Sequence, residues 1–135
     1  MEIEGILSGV LAVLADPAFA PLFAAGTRAE VPIVGRLARR GEEPVLVSGQ
    51  VDRLAVTAET VLIADYKSDR RPPRGAEDVP QAYTNQLALY RAVLARLYPG
   101  RSIRAVLVWT EGPHLMELPA SVLDAALLHL HVKPP

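Results

Sequence analysis

A chain of 135 residues, half of them hydrophobic and 21% charged, has room for one packed core and lacks the composition of a disordered protein. It contains no cysteine, which excludes disulfides, thiolate metal centres, cysteine nucleophiles and iron–sulfur clusters. The net charge of −1 rules out a global basic field but allows a basic stripe beside an acidic site.

Residues 3–14 set Ile3, Leu7, Val10, Leu11 and Leu14 at helical spacing, and Asp16-Pro17 stops that helix. Glu2 and Glu4 without a basic n-region argue against a signal peptide, and no apolar run reaches the ~20 residues of a membrane span. The expectation is a cytoplasmic protein with no membrane contact. Ala18 to Gly26 predicts a short helical turn. Glu30 to Leu37 predicts a first strand, with Pro32 marking an edge or bulge. Gly41-Glu42-Glu43-Pro44 reads as a turn. Val45–Val56 and Val61–Lys67 are two strands, and the gap Thr57-Ala58-Glu59-Thr60 suits a hairpin loop.

Ser68 to Asp78 is polar, basic and proline-rich, hence a surface loop. Asp78 followed by Pro80 predicts a helix start, a capping oxygen and then a residue whose missing N–H costs nothing there. That helix runs to about Leu97, before Pro99-Gly100. Ser102–Thr110 is a buried strand, Leu115–Leu118 a short one, and Pro119–His131 a closing amphipathic helix. The order α–β–β–β–α–β–β–α, with an antiparallel meander and a crossover helix, predicts an α/β fold with a mixed central sheet flanked by helices. Residues 1–135 are expected to form a single domain.

The chemistry is concentrated on the middle hairpin. If Val56 faces Val61, Asp52 faces Asp65, and opposed residues hold their Cβ atoms about 5 Å apart. Two carboxylates that close repel unless a proton or cation lies between them, and Mg²⁺ takes oxygen ligands of this kind. Lys67, two residues past Asp65, shares its face and can orient a water or hold a phosphate as a point charge. Aspartates and lysines at strand ends also occur as plain solvent-facing or paired groups. Two features weigh against that reading: Asp65 follows the apolar run Val61-Leu62-Ile63-Ala64, and its partner is an acid where stability alone favours a base.

Gln86 and Tyr90 lie on one helical face, with Tyr83 beside them. That face can meet a nucleotide, with a tyrosine ring stacking a base, or the tyrosines can simply pack with Leu87 and Leu94. Arg70, Arg71 and Arg74 can follow a DNA backbone, or keep a loop solvated. Glu30 is either an outer-sphere metal group or a surface glutamate. Arg53 points away from Asp52 by strand alternation, Trp109 reads as a core residue with base stacking as the lesser alternative, and His114, His129 and His131 read as surface or packing residues.

Three segments, Gly49-Gln50-Val51-Asp52-Arg53-Leu54, Ile63-Ala64-Asp65-Tyr66-Lys67-Ser68 and Gln86-Leu87-Ala88-Leu89-Tyr90, resemble the RecB-like signature G-x-x-D-R, D-Y-K and Q-x-x-x-Y of the PD-(D/E)XK superfamily. Tyr83, Trp109-Thr110 and Tyr98-Pro99-Gly100-Arg101 are similar to the C-terminal nuclease domain of AddA-type helicase–nucleases. The resemblance runs from about Glu30 to the closing helix. It implies a restriction-endonuclease-like core and a Mg²⁺- or Mn²⁺-dependent deoxyribonuclease, exonuclease-type, acting on unwound DNA in double-strand-break repair. Asp52, Asp65 and the backbone carbonyl of Tyr66 would hold the metal. Lys67 would be catalytic, and Gln86 and Tyr90 would contact DNA or support the site. The implied partners are DNA, covalently linked helicase domains and an AddB-like subunit.

The chain departs from that pattern in one respect. Such nucleases take a metal ligand from a histidine ahead of the first strand, and here no histidine precedes His114. No G-x-x-x-x-G-K-[ST] motif is present either, so any motor lies outside these residues and a fragment of a larger polypeptide is expected. Two further readings stay open: a non-cleaving module that docks DNA or a partner chain, and a stand-alone resolvase-like or restriction-like nuclease.

Overall fold

Strand β3 (Thr60–Lys67) organises the molecule because Val61, Leu62, Ile63 and Ala64 are all buried, as a strand covered on both faces requires. The computed structural model describes residues 17–24, 27–68, 72–110 and 114–135; the predicted helix over 3–14, its stop at Asp16, and Arg70 and Arg71 lie outside the described residues. A ribbon of β1 (Arg28–Arg39) and β2 (Glu42–Val56) precedes β3. Helix α1 (Gln81–Leu97) then crosses over to β4 (Ser102–Trp109), and β5 (His114–Leu118) and helix α2 (Ala120–His129) complete the order. The five strands line up as β1-β2-β3-β4-β5, antiparallel except for the parallel β3–β4 pair that the crossover creates. This is the mixed α/β sheet expected, a restriction-endonuclease-like arrangement.

Two cores sandwich the sheet. On one face Val51, Leu54, Ile63, Leu107 and Trp109 meet Leu87 and Leu94 of α1 and Leu123 and Leu127 of α2. On the other, Phe19 and Leu22 of a 3₁₀ turn (Pro17–Phe23) cover Ala55, Leu62, Ala64, Val106 and Val108. Each such fully buried large side chain contributes roughly 1.5–3 kcal/mol. Arg91 of α1 donates to Asp124 of α2 at 2.6 Å, tying the helices together across their polar rim. No described helix is long and apolar enough to cross a membrane.

Three boundaries differ from expectation. The predicted turn at 41–44 shrinks to Arg40-Gly41, because Gly41 adopts φ 72° and the register between β1 and β2 shifts between Leu37 and Arg39. Pro44 is tolerated inside β2 because it falls at the register shift against β1, between the pairs Leu37↔Val45 and Arg39↔Glu42, and β3 pairs only with Arg53–Val56. Asp78 does not cap α1. It ends a 3₁₀ turn (Ala76–Asp78), and Pro80 stands at the N-cap without a side-chain hydrogen bond. Val79 explains the break: it is buried, and a residue before proline avoids helical backbone. The closing helix ends at His129, and His131 turns left-handed, φ 63°, so that Val132 bridges to Arg39.

Candidate active site

The β2–β3 hairpin closes where the sequence places it. Thr57 donates its N–H to the Thr60 carbonyl at 2.8 Å, and the ladder runs Val56↔Val61, Ala55↔Leu62, Leu54↔Ile63 and Arg53↔Ala64. One step further, at Asp52 and Asp65, side chains replace the main-chain ladder. The N–H of Tyr66 donates to Asp52 Oδ2 at 2.7 Å, and the N–H of Asp52 donates to Asp65 Oδ1 at 3.3 Å. Each acid is thus anchored by main chain, which fixes both carboxylates at the point where the two strands part. Oδ1 of Asp52 and Oδ2 of Asp65 are left outside these two bonds.

Bringing Asp52 to this face requires an irregularity. Val47 and Val51 point into the α1 core with strand period, yet Leu54, three residues on, points there too, so the alternation slips by one around Asp52. Opposite, the register pairs Ala29↔Arg53 and Val31↔Val51 bracket Glu30, which adopts φ 52°. A left-handed glutamate is a strained residue, and it stands directly across from Asp52. Its side chain is exposed.

Asp65 is 5% exposed. Its carboxyl is raised to about 6, chiefly by burial and in part by the Asp52 charge, with the Lys67 ammonium pulling the other way. Lys67 Nζ stands 3.7 Å from Asp65 Oδ2 and 4.0 Å above the ring centroid of Tyr83 from α1. Tyr83, considered from sequence as a DNA contact, therefore lies under the lysine. The backbone of Lys67 faces β4, since its carbonyl accepts from Thr110 N–H at 2.9 Å. Tyr66, one residue earlier, turns its peptide groups toward β2 and the acids, and its ring to the opposite face, where Arg53 Nε donates to its hydroxyl at 3.4 Å.

Tyr90 is 4% exposed, and its hydroxyl accepts from the N–H of Gln50 at 3.3 Å. A Cβ at Gly49 would stand 2.0 Å from that hydroxyl, so the glycine makes room for the tyrosine. This places Tyr90 behind β2, its hydroxyl at Gln50, two residues from Asp52, where it supports the strand. Gln86 is half-buried on the same helix, and Arg74 is exposed in the loop before it. Trp109, in register with Lys67 on the neighbouring strand, is fully buried. His131 pairs with Glu42 at the far end of the β1–β2 ribbon, and His114 and His129 are exposed. Among the described residues, no three acidic, histidine or cysteine side chains gather as a metal cluster.

The donors present suit a hard divalent cation. All are oxygens, and the Asp65 carboxyl, raised mainly by burial and further by the Asp52 charge, stays above its ordinary value even with the Lys67 ammonium beside it, so the pair has room for a further positive charge. Sequence reasoning places the acids and the lysine but not the service of Gly49 and Glu30. The glycine of G-x-x-D-R is the available signal for the first, and only the backbone shows the second.

The sheet, the acid pair and the adjacent lysine form the frame that the resemblance to nucleases implies. A family model described as PD-(D/E)XK nuclease superfamily matches residues 6–129, and the chain belongs to that superfamily. It is similar to the A-type subunit of the ATP-dependent helicase/nuclease of Oenococcus oeni, 34% identical over 77 residues, which are 56% of this chain and 6% of that protein. It is also similar to the counterpart of the same name from Lactiplantibacillus plantarum, 41% identical over 59 residues, or 42% of this chain and 4% of that one. The matched stretches are thus a small part of these relatives. The crystal structure of SSO0001 overlaps with a TM-score of 0.45 at 15% identity, over 96% of this chain and 62% of that one.

Proposed function

We propose that this chain is the nuclease module of an AddA-type helicase–nuclease, cutting phosphodiester bonds in DNA strands delivered by a linked motor, with Mg²⁺ (or Mn²⁺) held at Asp52 and Asp65. The observation that carries the reading is the anchoring of two carboxylates at the parting of β2 and β3, with an ammonium 3.7 Å from one of them. The likeness to two helicase/nuclease subunits supports the link to a motor and to DNA. An AddB-like second subunit would complete the assembly.

A bound divalent cation would supply Lewis acidity toward a phosphate oxygen and a more acidic water. The residues of the chain do the rest. Asp52 and Asp65 present their remaining oxygens, and the Tyr66 carbonyl, turned to the same edge, offers a third. Lys67 places a positive charge beside the acids, where it neutralises the scissile phosphate. Its ammonium also keeps Asp65 partly ionised despite burial. Arg74, with Arg70 and Arg71 in the same segment, would follow the phosphate backbone, and Gln86 would approach from the α1 side.

The test is cleavage of DNA with Mg²⁺ by the wild type and by Asp65→Ala. Loss of cutting with DNA binding retained is expected; undiminished cutting refutes the assignment. Calorimetric titration with Mg²⁺, with and without Asp52→Ala, separates a nuclease from a docking module that shares its fold, since the latter would show no Asp52-dependent binding.

A further inference from the structure

We infer that Tyr83 is a positioning residue for Lys67: its ring carries the ammonium and keeps it from closing onto Asp65, leaving the outer oxygen of that acid for a cation. The proposal rests on the nuclease reading for its purpose, but its geometry stands alone. Lys67 Nζ lies 4.0 Å from the Tyr83 ring centroid, within the range of a strong cation–π contact. The same nitrogen is 3.7 Å from Asp65 Oδ2, which is longer than a charge-assisted hydrogen bond of about 2.7–2.9 Å. A lysine beside a buried carboxylate closes to bonding distance unless something else holds it. The ring is that other partner.

The surroundings leave the lysine few alternatives. Its side chain is 15% exposed, and its register partner across the parallel ladder is the fully buried Trp109. The ammonium is thus bounded by a carboxylate, a neighbouring strand and the face of Tyr83. Tyr83 itself is set on the first turn of α1 and packs against the main core, so the ring is a fixed platform. Closure of Lys67 onto Asp65 would neutralise the oxygen that the cation needs and withdraw the positive charge from the phosphate. The aromatic face prevents both without introducing a competing anion.

The experiment uses the 135-residue chain as wild type, Tyr83→Phe and Tyr83→Leu. Proton NMR at one fixed pH reads the Lys67 ε-methylene resonances. They are expected upfield in the wild type and in Tyr83→Phe, under the ring current, and at exposed-lysine positions in Tyr83→Leu. With Mg²⁺ and DNA, kcat is expected to fall about tenfold in Tyr83→Leu with KM unchanged, the size of a desolvated cation–π contact, and to be restored in Tyr83→Phe. Unshifted ε-protons in the wild type overturn the proposal without any variant. A rise in KM shared by both variants overturns it as well, by assigning the hydroxyl to DNA. Asp65→Ala serves as the control: cutting that persists there removes the nuclease reading alone, because the NMR signature does not depend on cleavage.

Discussion

The main-chain N–H of Asp52 donates to the carboxylate of Asp65, while the carboxylate of Asp52 takes the N–H of Tyr66. The two acids are therefore locked to each other's strands, and neither can turn away from the other's charge. Repulsion between them is built into the fold and is relieved by a proton or a cation.

Replacing Asp65 by Asn keeps the shape and the acceptor for Asp52 N–H but removes the buried charge. Asp65→Asn is expected to stabilise the metal-free chain by on the order of 1–2 kcal/mol while abolishing cleavage. Urea denaturation in the presence of a chelator measures the first effect and a DNA cleavage assay the second. A less stable Asn variant would show that the charge is not under strain.

The same group sets a pH dependence. Its folded-state value, raised to about 6 from 3.8, means that the folded chain binds the proton more tightly than the unfolded one. Its stabilising contribution is complete below the unfolded value and is lost as pH rises through about 6. Metal-free stability is thus expected to decline between about pH 4 and about pH 6.5 and then level off, whereas saturating Mg²⁺ flattens the decline. Denaturation midpoints across that window, with wild type compared to Asp65→Asn, check the assignment: a slope that persists in the Asn variant belongs to another group.

Gly49 and Tyr90 form a second coupled pair. A methyl at Gly49 meets the Tyr90 hydroxyl at 2.0 Å and its ring carbon Cζ at 2.8 Å, so the ring must move. Gly49→Ala is expected to cost about 2–4 kcal/mol, and Tyr90→Phe, which orphans the Gln50 amide, about 1 kcal/mol. Because the two changes act on one contact, the double variant should be less destabilised than their sum. Chemical denaturation of the four-member cycle reads the coupling, and strict additivity would separate the two residues.

Local rules carried the sequence reading a long way. The register of β2 on β3 follows from a short loop and strand period, both local properties, and it puts Asp52, Asp65 and Lys67 together as the structure does. The body of α1 and the parallel placement of β4 follow from helical spacing and from crossover topology. What escapes is non-local. The position of Tyr90 depends on which glycine it meets some forty residues away, and the contact between Tyr83 and Lys67 depends on where the end of β3 meets α1. Asp78 looks like a cap because the burial of Val79 against the core cannot be read from its neighbours. The strained Glu30 carries no compositional mark at all.

Lys67 acts on Asp65 in two opposed ways, and this separates its roles. Its ammonium, held off Oδ2 by the Tyr83 ring, still repels a cation bound there through space, and it also lowers the carboxyl's affinity for a proton. Lys67→Met removes both effects. Around pH 8, well above the raised carboxyl value, loss of the like-charge repulsion dominates and Mg²⁺ binding is expected to tighten. Near pH 6 the carboxyl, pushed higher without the lysine, holds its proton and binding is expected to weaken. Cleavage should fall about 10²-fold or more at both values, since the charge offered to the phosphate is gone. Calorimetry at the two pH values decides: an equal loss of Mg²⁺ affinity at both would mean that the lysine supports the fold of the site and does not tune its charge.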